Sequence, residues 1–302
     1  MSLRLRLIVN PASGGGRCGR RLPGLVRRLQ DRELDFRTHF TRSLQHASEL
    51  AAEAAEVGEV AVAVGGDGVV SAVANGLAGR DVPATMGIVP GGRGNDFARW
   101  LGIQGIANSV ATLAAGTSRL VDLGKVGETY FTCIASCGLD SEVMSTADNA
   151  RFVRGPLTYP YAAARAILGW QPAKFAVEVD HVGSEFDGFS VIVANGGSYG
   201  GGMRMAPDAS LDDGLFDVIF LHRVNRLRFM TKAIGVFKGT HINNPEVSVR
   251  RGTNVRLDTD RPFVVYADGE PCGTTPTTVT MAAAALRVLA PPVDGSMSKS
   301  TS

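Results

Sequence analysis

The stretch Val60-Ala61-Val62-Ala63-Val64-Gly65-Gly66-Asp67-Gly68 decides how this chain folds. A short apolar run meets glycine and gives way at Val69 to a segment, up to Leu77, whose apolar residues recur at helical spacing. It reads as a strand, a tight turn and the start of a helix. Such a turn can seat a phosphate. Glycine has no Cβ, so the backbone can approach an anion, and the helix's first free N–H groups point at it from the positive end of the dipole. Asp67 would repel a bare phosphate, which suggests a divalent cation held directly or through water. Taken alone, the four residues equally describe an ordinary strand-to-helix turn with an exposed aspartate.

Upstream, Leu3, Leu5 and Leu7 alternate with Arg4 and Arg6 and run into Ile8-Val9, a first strand ending at Asn10-Pro11. The glycines at 14, 16 and 19 match GxGxxG, a weak signal. Asp35 opens the second strand rather than closing it, against a dinucleotide fingerprint, and no Gly-Lys-Ser/Thr follows, against a Walker loop. Leu22, Leu25, Val26 and Leu29 form one face of a first helix and leave its arginines outward. A second strand over 34–41 and a second helix through Ala47, Leu50, Ala51, Ala54 and Ala55 follow. Beyond the opening stretch, a fourth strand over 86–89 runs into Pro90-Gly91-Gly92-Arg93-Gly94-Asn95-Asp96-Phe97-Ala98-Arg99. Alternating strands and helices build a parallel sheet, and two glycine-rich loops at strand C-terminal ends face one crevice, where a nucleotide would sit.

After Leu120-Val121-Asp122-Leu123 the pattern changes to strands, over 130–135, 175–179, 189–194, 215–221, 247–257, 263–267, 277–281 and 286–290. Helical breaks are expected near 159–170 and 226–237. This predicts an α/β domain over 1–125 and a β-rich domain over 126–290, whose last segment can pack back on the first domain. Residues 291–302 form a polar tail expected to be disordered.

A hydrophobic content of 44%, a charged content of 20% and a net charge of +2 describe a globular chain and argue against a dedicated nucleic-acid binder. Arg17, Arg20, Arg21, Arg27, Arg28 and Arg32 crowd one early stretch, either a solvated helix face or a surface for anions. Cys18, Cys133, Cys137 and Cys272 lack paired CxxC spacing, so neither zinc nor a disulfide scaffold is indicated, and a reducing cytoplasm fits. The first residues lack a signal peptide's apolar core, and no apolar run approaches the roughly 20 residues of a membrane span. A protein of this kind that acts on a lipid must visit the membrane.

Two short motifs remain. Asn195 to Met203, rich in glycine, precedes Ala206 to Leu215, with a hairpin-like turn at Asp213-Gly214. Asp268-Gly269-Glu270 follows a strand and also suits a hairpin. In an extended segment its two carboxylates would share a face, one accepting a proton while the other holds a metal or a basic group.

Together these residues resemble the soluble diacylglycerol kinase catalytic family, which includes bacterial lipid kinases and is related to sphingosine kinases. Matches fall at Asn10-Pro11-x-Ser13-Gly14, Thr41, Gly65-Gly66-Asp67-Gly68, Gly94-Asn95-Asp96-Phe97-Ala98, Asp122-Leu123-Gly124, Gly200-Gly201-Gly202-Met203, Pro207-x-Ala209, Asp213-Gly214 and Asp268-Gly269-Glu270. The resemblance implies an N-terminal Rossmann-like domain of the phosphofructokinase and NAD-kinase type, a C-terminal β-sandwich-like domain, and ATP in the cleft between them. Asn10, Thr41, Gly65, Gly66, Asp67, Gly68, Val69, Val70, Ser71, Arg93 and Asn95 would then contact the nucleotide. Asp268 would be the general base on the lipid hydroxyl, with Asp67, Asp122 and Glu270 in the Mg²⁺ and water network beside it. A structural Mg²⁺ in bacterial members sits on a loop matching the Ser210 carbonyl, the Asp213 carboxylate and the Leu215 carbonyl.

The chemistry agrees with that assignment: phosphoryl transfer needs positioning, neutralised phosphate charge and a base on the attacking hydroxyl. The expected activity is an ATP- and Mg²⁺-dependent lipid kinase acting on diacylglycerol or a related lipid, cytoplasmic and transiently at the inner face of the membrane, without nucleic acid and with a homodimer left open. Val69 and Ala72 replace the hydroxyl and acidic residues usual after Gly-Gly-Asp-Gly, and Arg93 stands where Thr or Ser is common. These departures leave open a catalytically weak nucleotide- or lipid-binding regulator; an NAD-kinase-like enzyme ranks third. Phe131, Leu139, Met144, Phe152 and Tyr159 are candidates for the walls of an acyl-chain cleft, and the five histidines are read as structural or surface.

Overall fold

The structure is a computed structural model that describes residues 3–148, 158–225, 228, 231–232 and 234–292. The chain forms two units: residues up to 121 together with those from 285 on, and residues 122–284.

The first unit runs β1 (Arg4–Val9), α1 (Arg17–Gln30), β2 (Asp35–Phe40), α2 (Leu44–Glu56), β3 (Val60–Gly65), α3 (Asp67–Leu77), β4 (Thr85–Pro90), α4 (Asp96–Trp100) and α5 (Gly105–Ala115). The strands pair in parallel in the order β2-β1-β3-β4. Every residue of β3 is buried, as its unbroken apolar run requires of a strand covered on both faces. Edge strand β2, Asp-Phe-Arg-Thr-His-Phe, is partly exposed, and its charges suit an unpaired rim. Register ties the sheet together at its C-terminal end: Val9 lies beside Phe40 and Val64, and Gly65 beside Pro90. Leu5, Leu7, Leu25, Leu29, Val62, Val64 and Leu113 share the core. The one buried charge of β1, Arg6, is neutralised by Glu59 at 2.7 Å and Glu53 at 3.0 Å.

β5 (Ser118–Val126) carries the chain into the second unit. There follow β6 (Thr129–Phe131), β7 (Ile134–Gly138), α6 (Leu139–Asp148), α7 (Thr158–Gly169), β8 (Ala173–Val179), β9 (Val182–Ala194), β10 (Ser198–Tyr199), β11 (Met203–Arg204), β12 (Phe216–His222), β13 (Val247–Gly252), β14 (Asn254–Thr259), β15 (Val264–Ala267), β16 (Glu270–Thr274) and β17 (Thr277–Leu289). The strands are antiparallel. In β8, Ala173, Phe175, Val177 and Val179 are buried while Lys174 and Glu178 face out, the period of two that one-sided burial imposes. The long β9 pairs with β8 through its first half, and through its second half has β7 on one side and β12 on the other. Beneath them Trp170 stacks on Phe189 and Phe263, and Phe131 on Phe216, with centroids 5.6–6.3 Å apart.

Several boundaries differ from the expectation. The strand expected over 247–257 divides at Gly252 into β13 and β14. The two strands expected at the end are one, β17, whose start pairs with β14 and whose Arg287 and Val288 lie parallel to Thr85 and Met86, with Ala284 at φ 51° between. Of the helix expected over 226–237, the described residues 228, 231 and 232 are helical and Ile234–Lys238 form a 3-10 turn, and the tail 293–302 lies outside the described residues. Helix α6 had no expectation because Leu139 to Asp148 offers only a weak apolar stripe.

Candidate functional site

Parallel pairing brings the C-terminal ends of four strands to one edge of the first unit. Asn10 follows β1, its N–H bonded to the Val64 carbonyl at 3.1 Å, and Thr41 follows β2, its N–H bonded to the Val9 carbonyl at 2.8 Å. Gly65 and Gly66 end β3 and open α3, and Gly91 and Gly92 follow β4. The two glycine turns are in backbone contact: Gly91 N–H donates to the Gly65 carbonyl at 2.6 Å, and a Cβ on Gly92 would stand 2.5 Å from the Gly66 Cα. Exposed Arg93 reaches over the neighbouring loop, with one guanidinium nitrogen 4.0 Å from where a Gly15 Cβ would be. The edge therefore offers helix-start N–H groups from α3 and an exposed cation, which suit an anion.

Asp67 works differently from its expected place beside phosphates. Its two oxygens accept the N–H groups of Asn95 and Asp96, both at 2.7 Å, so the carboxylate caps α4 and ties the second glycine loop to the first. Asn95, at φ 53°, closes that loop through Gly92: its Oδ1 accepts the Gly92 N–H at 2.8 Å and its Nδ2 donates to the Gly92 carbonyl at 3.1 Å. The side chain of Asn95 thus braces the loop from within. Val69 and Val70 are each 2% exposed, and their N–H groups already bond the Gly66 carbonyl. Their expected role as nucleotide contacts is corrected to packing: the Val69 side chain covers Gly65. Ser71, half-buried, lies one turn further along α3.

In the second unit, Asp122 and Asp268 are each held by backbone. Asp122 accepts the N–H groups of Gly214 and Ala284, both at 2.7 Å. Asp268 accepts four hydrogen bonds: Thr132 N–H at 2.6 Å and Oγ1–H at 2.7 Å, Cys133 N–H at 2.9 Å and Ile134 N–H at 3.1 Å. Burial pushes the Asp268 carboxyl above its ordinary range, against the opposing pull of those donors. Asn195, fully buried, joins the two acids: its Nδ2 donates to the carbonyls of Asp122 and Thr132, both at 2.9 Å, and its Oδ1 has no partner among the described residues. Sequence reasoning missed Thr132, which lies 136 positions from Asp268 with nothing local to mark it, and took Asn195 only as the start of a glycine-rich stretch.

The shared face expected of Asp268 and Glu270 is not formed. Asp268 and Gly269 both have positive φ, the two-residue turn of the β15–β16 hairpin, which turns the Asp268 carboxylate toward 132–134 and leaves Glu270 exposed on β16. Met144 and the Tyr199 hydroxyl flank the turn, 3.4 and 3.8 Å from where a Gly269 Cβ would be. Among the expected cleft walls, Phe131 and Leu139 belong to the core; Phe152 lies outside the described residues, as does the side chain of Tyr159.

The loop expected to carry a structural Mg²⁺ was tested by its donors. Asp213 Oδ2 accepts from the Arg251 guanidinium and Oδ1 from the Leu215 N–H at 3.1 Å, while Ser210 Oγ donates to Asp212 at 2.6 Å. The Asp213 carboxylate in this arrangement does not fit a dication beside the Ser210 and Leu215 carbonyls, since the Arg251 guanidinium already holds it. No cluster of three or more His, Cys, Asp or Glu side chains suited to a metal occurs among the described residues.

The sequence matches the diacylglycerol kinase catalytic domain over residues 4–126 and the YegS C-terminal NAD kinase beta sandwich-like domain over residues 133–290. It is 32% identical over 281 residues to a diacylglycerol kinase of Bacillus subtilis, spanning 90% of this chain and 91% of that one. A Mycobacterium tuberculosis diacylglycerol kinase is 33% identical over 299 residues, 95% of each chain. A solved structure described as a diacylglycerol kinase from Bacillus anthracis matches with a TM-score of 0.74 and 22% identity over 96% of this chain and 97% of that one, a likeness of fold.

The glycine contact gives a direct test. Gly92→Ala forces its Cβ onto Gly66, and is expected to cost about 1–3 kcal/mol of stability and to weaken nucleotide binding at least tenfold, read by thermal unfolding and by titration calorimetry with ATP. Unchanged nucleotide affinity would show that this edge does not seat the phosphates.

Proposed function

The chain belongs to the diacylglycerol kinase catalytic-domain family, and we propose that it transfers the γ-phosphoryl group of ATP, bound as its Mg²⁺ complex, to the free hydroxyl of diacylglycerol or a closely related lipid. Similarity to diacylglycerol kinases over nine-tenths of the chain supports a lipid kinase. The observation that carries the finer reading is the held carboxylate of Asp268, a base kept ready beside a turn flanked by Met144 and Tyr199.

On this reading the N–H groups opening α3 and the Arg93 guanidinium bind the phosphates, Arg93 supplying the charge-assisted contact that the buried Val69 cannot. Asn10 and Thr41, at the same edge, flank the nucleotide. Asp67 keeps the two glycine loops in register, and Asn95 shapes the second. Asp268 takes the proton of the lipid hydroxyl as its oxygen attacks phosphorus. An alcohol is far more basic than a carboxylate, so this transfer comes late, as charge develops on the nucleophile. Thr132, Cys133 and Ile134 hold Asp268 in place, and the rotatable Thr132 hydroxyl is the donor that yields when the carboxylate accepts the lipid proton. Glu270, exposed beside the turn, and Asp122, linked through Asn195 to Thr132, complete the acidic surroundings, and Mg²⁺ supplies neutralisation of the phosphate charge. No step is assigned to the 210–215 loop.

The acceptor is a membrane lipid, so the protein works from the cytoplasm at the inner membrane face. No helix among the described residues is long and apolar enough to cross a membrane. Arg20, Arg21 and Arg28 line a shallow depression of about 380 Å³ beside Ile106, a surface suited to anionic headgroups.

Labelled ATP with mixed micelles of diacylglycerol, monoacylglycerol, sphingoid base or ceramide tests the reaction. Diacylglycerol is expected to be phosphorylated best, and Asp268→Asn to lower kcat by about 10²- to 10⁴-fold with ATP binding retained. Equal phosphorylation by the variant would remove Asp268 as base, and no lipid product despite bound ATP would remove the kinase. Sedimentation with vesicles tests the membrane contact: binding is expected to anionic and not to neutral vesicles, and to fall in Arg20→Ala/Arg28→Ala. Indifference to lipid charge would contradict it.

A further inference from the structure

One arginine holds the carboxylate, Asp213, that the family resemblance assigns to a metal. β12 and β13 pair antiparallel with Asp217 directly opposite Arg251. Across that pair the guanidinium Nε donates to Asp217 Oδ1 at 3.1 Å, and its Nη2 turns to Asp213 Oδ2 at the tip of the preceding loop. The planar fork thus joins two carboxylates on one strand's approach, a geometry that a lysine could not reproduce. Asp217 is buried, with 7% of its side chain exposed, whereas Asp213 and Arg251 are half-exposed. The same loop is clamped from the other side by Asp122, whose N–H donates to the Leu211 carbonyl at 2.6 Å and whose carboxylate accepts the Gly214 N–H. Every charged group of the loop therefore has a partner within the protein: Asp213 and Asp217 share Arg251, and Asp212 accepts from Ser210.

A magnesium ion on Asp213 would need near-octahedral oxygen ligands at roughly 2.0–2.1 Å. It would also have to settle within a few ångströms of the guanidinium, where like charges repel, or drive Arg251 away from a buried partner. We infer that Arg251 replaces the structural divalent cation in this chain, cross-linking the 210–215 loop to β12 and β13 so that the loop is ordered without metal. This rests on aligning the loop with the metal-binding loop of bacterial relatives. The divalent ion required for catalysis is then the one that arrives with the nucleotide.

The test uses the full chain without nucleotide, so that it stands whether or not the kinase reading holds. Thermal unfolding is followed in EDTA and in excess Mg²⁺, and Mn²⁺ binding is titrated by electron paramagnetic resonance. The wild type is expected to melt at the same temperature in both buffers and to bind no Mn²⁺ tightly. Arg251→Met, which vacates the carboxylates, is expected to melt several degrees lower in EDTA, to recover in Mg²⁺, and to lose that recovery when combined with Asp213→Asn. A wild-type Mn²⁺ site abolished by Asp213→Asn overturns the inference, as does an Arg251→Met protein indifferent to Mg²⁺. Should Arg251→Met fail to fold, Arg251→Lys keeps the charge without the fork. It is expected to melt lower and remain insensitive to Mg²⁺, and a Mg²⁺-dependent rise would contradict the proposal.

Discussion

Both units depend on aspartate carboxylates that accept backbone N–H groups. Asp67 holds Asn95 and Asp96, Asp122 holds Gly214 and Ala284, and Asp268 holds the turn from Thr132 to Ile134. A carboxylate removed from water without such donors would cost several kcal/mol, while each hydrogen bond to a charge returns about 1.5–3 kcal/mol. The acids are therefore braces as well as chemical groups, and each brace lies between segments far apart in sequence. That is how a glycine-rich turn of little intrinsic rigidity becomes a fixed edge.

Close packing completes what charge begins. The two glycine turns of the first unit touch through Gly66 and Gly92, and Val69 fills the space over Gly65. A residue that departs from the family's usual hydroxyl is thus accounted for by the hydrophobic interior it joins. Arg251 makes a similar exchange in the second unit, where a side-chain cation meets two carboxylates that oxygen ligands and a metal would otherwise serve.

The sequence made the parallel unit legible because its signals are local. β3 is a continuous apolar run ending in glycine, and in the second unit β8 alternates in burial, so both periods could be read directly. The Asp268-Gly269 turn was equally visible, but the direction of its carboxylate was not: an extended segment would put it beside Glu270, whereas positive φ at both turn residues sends it inward. Thr132, Asn195 and Arg251 act through partners 34 to 136 residues away, and no periodicity carries such information. The division of β17 between the two units was hidden for the same reason, since both its halves read as ordinary strands.

On the proposed reading, Asp268 is a base whose readiness is set by burial and by the donors around it. The direct measurement is kcat against pH, at saturating ATP and diacylglycerol, for the wild type and Thr132→Val. The base must be ionised, and burial raises its pKa, so the wild-type acidic limb should lie above the ordinary aspartate value. Removing the Thr132 hydroxyl takes away a hydrogen bond that favours the ionised form, so the limb should move to still higher pH in the variant. A limb that stays where it was would contradict the account.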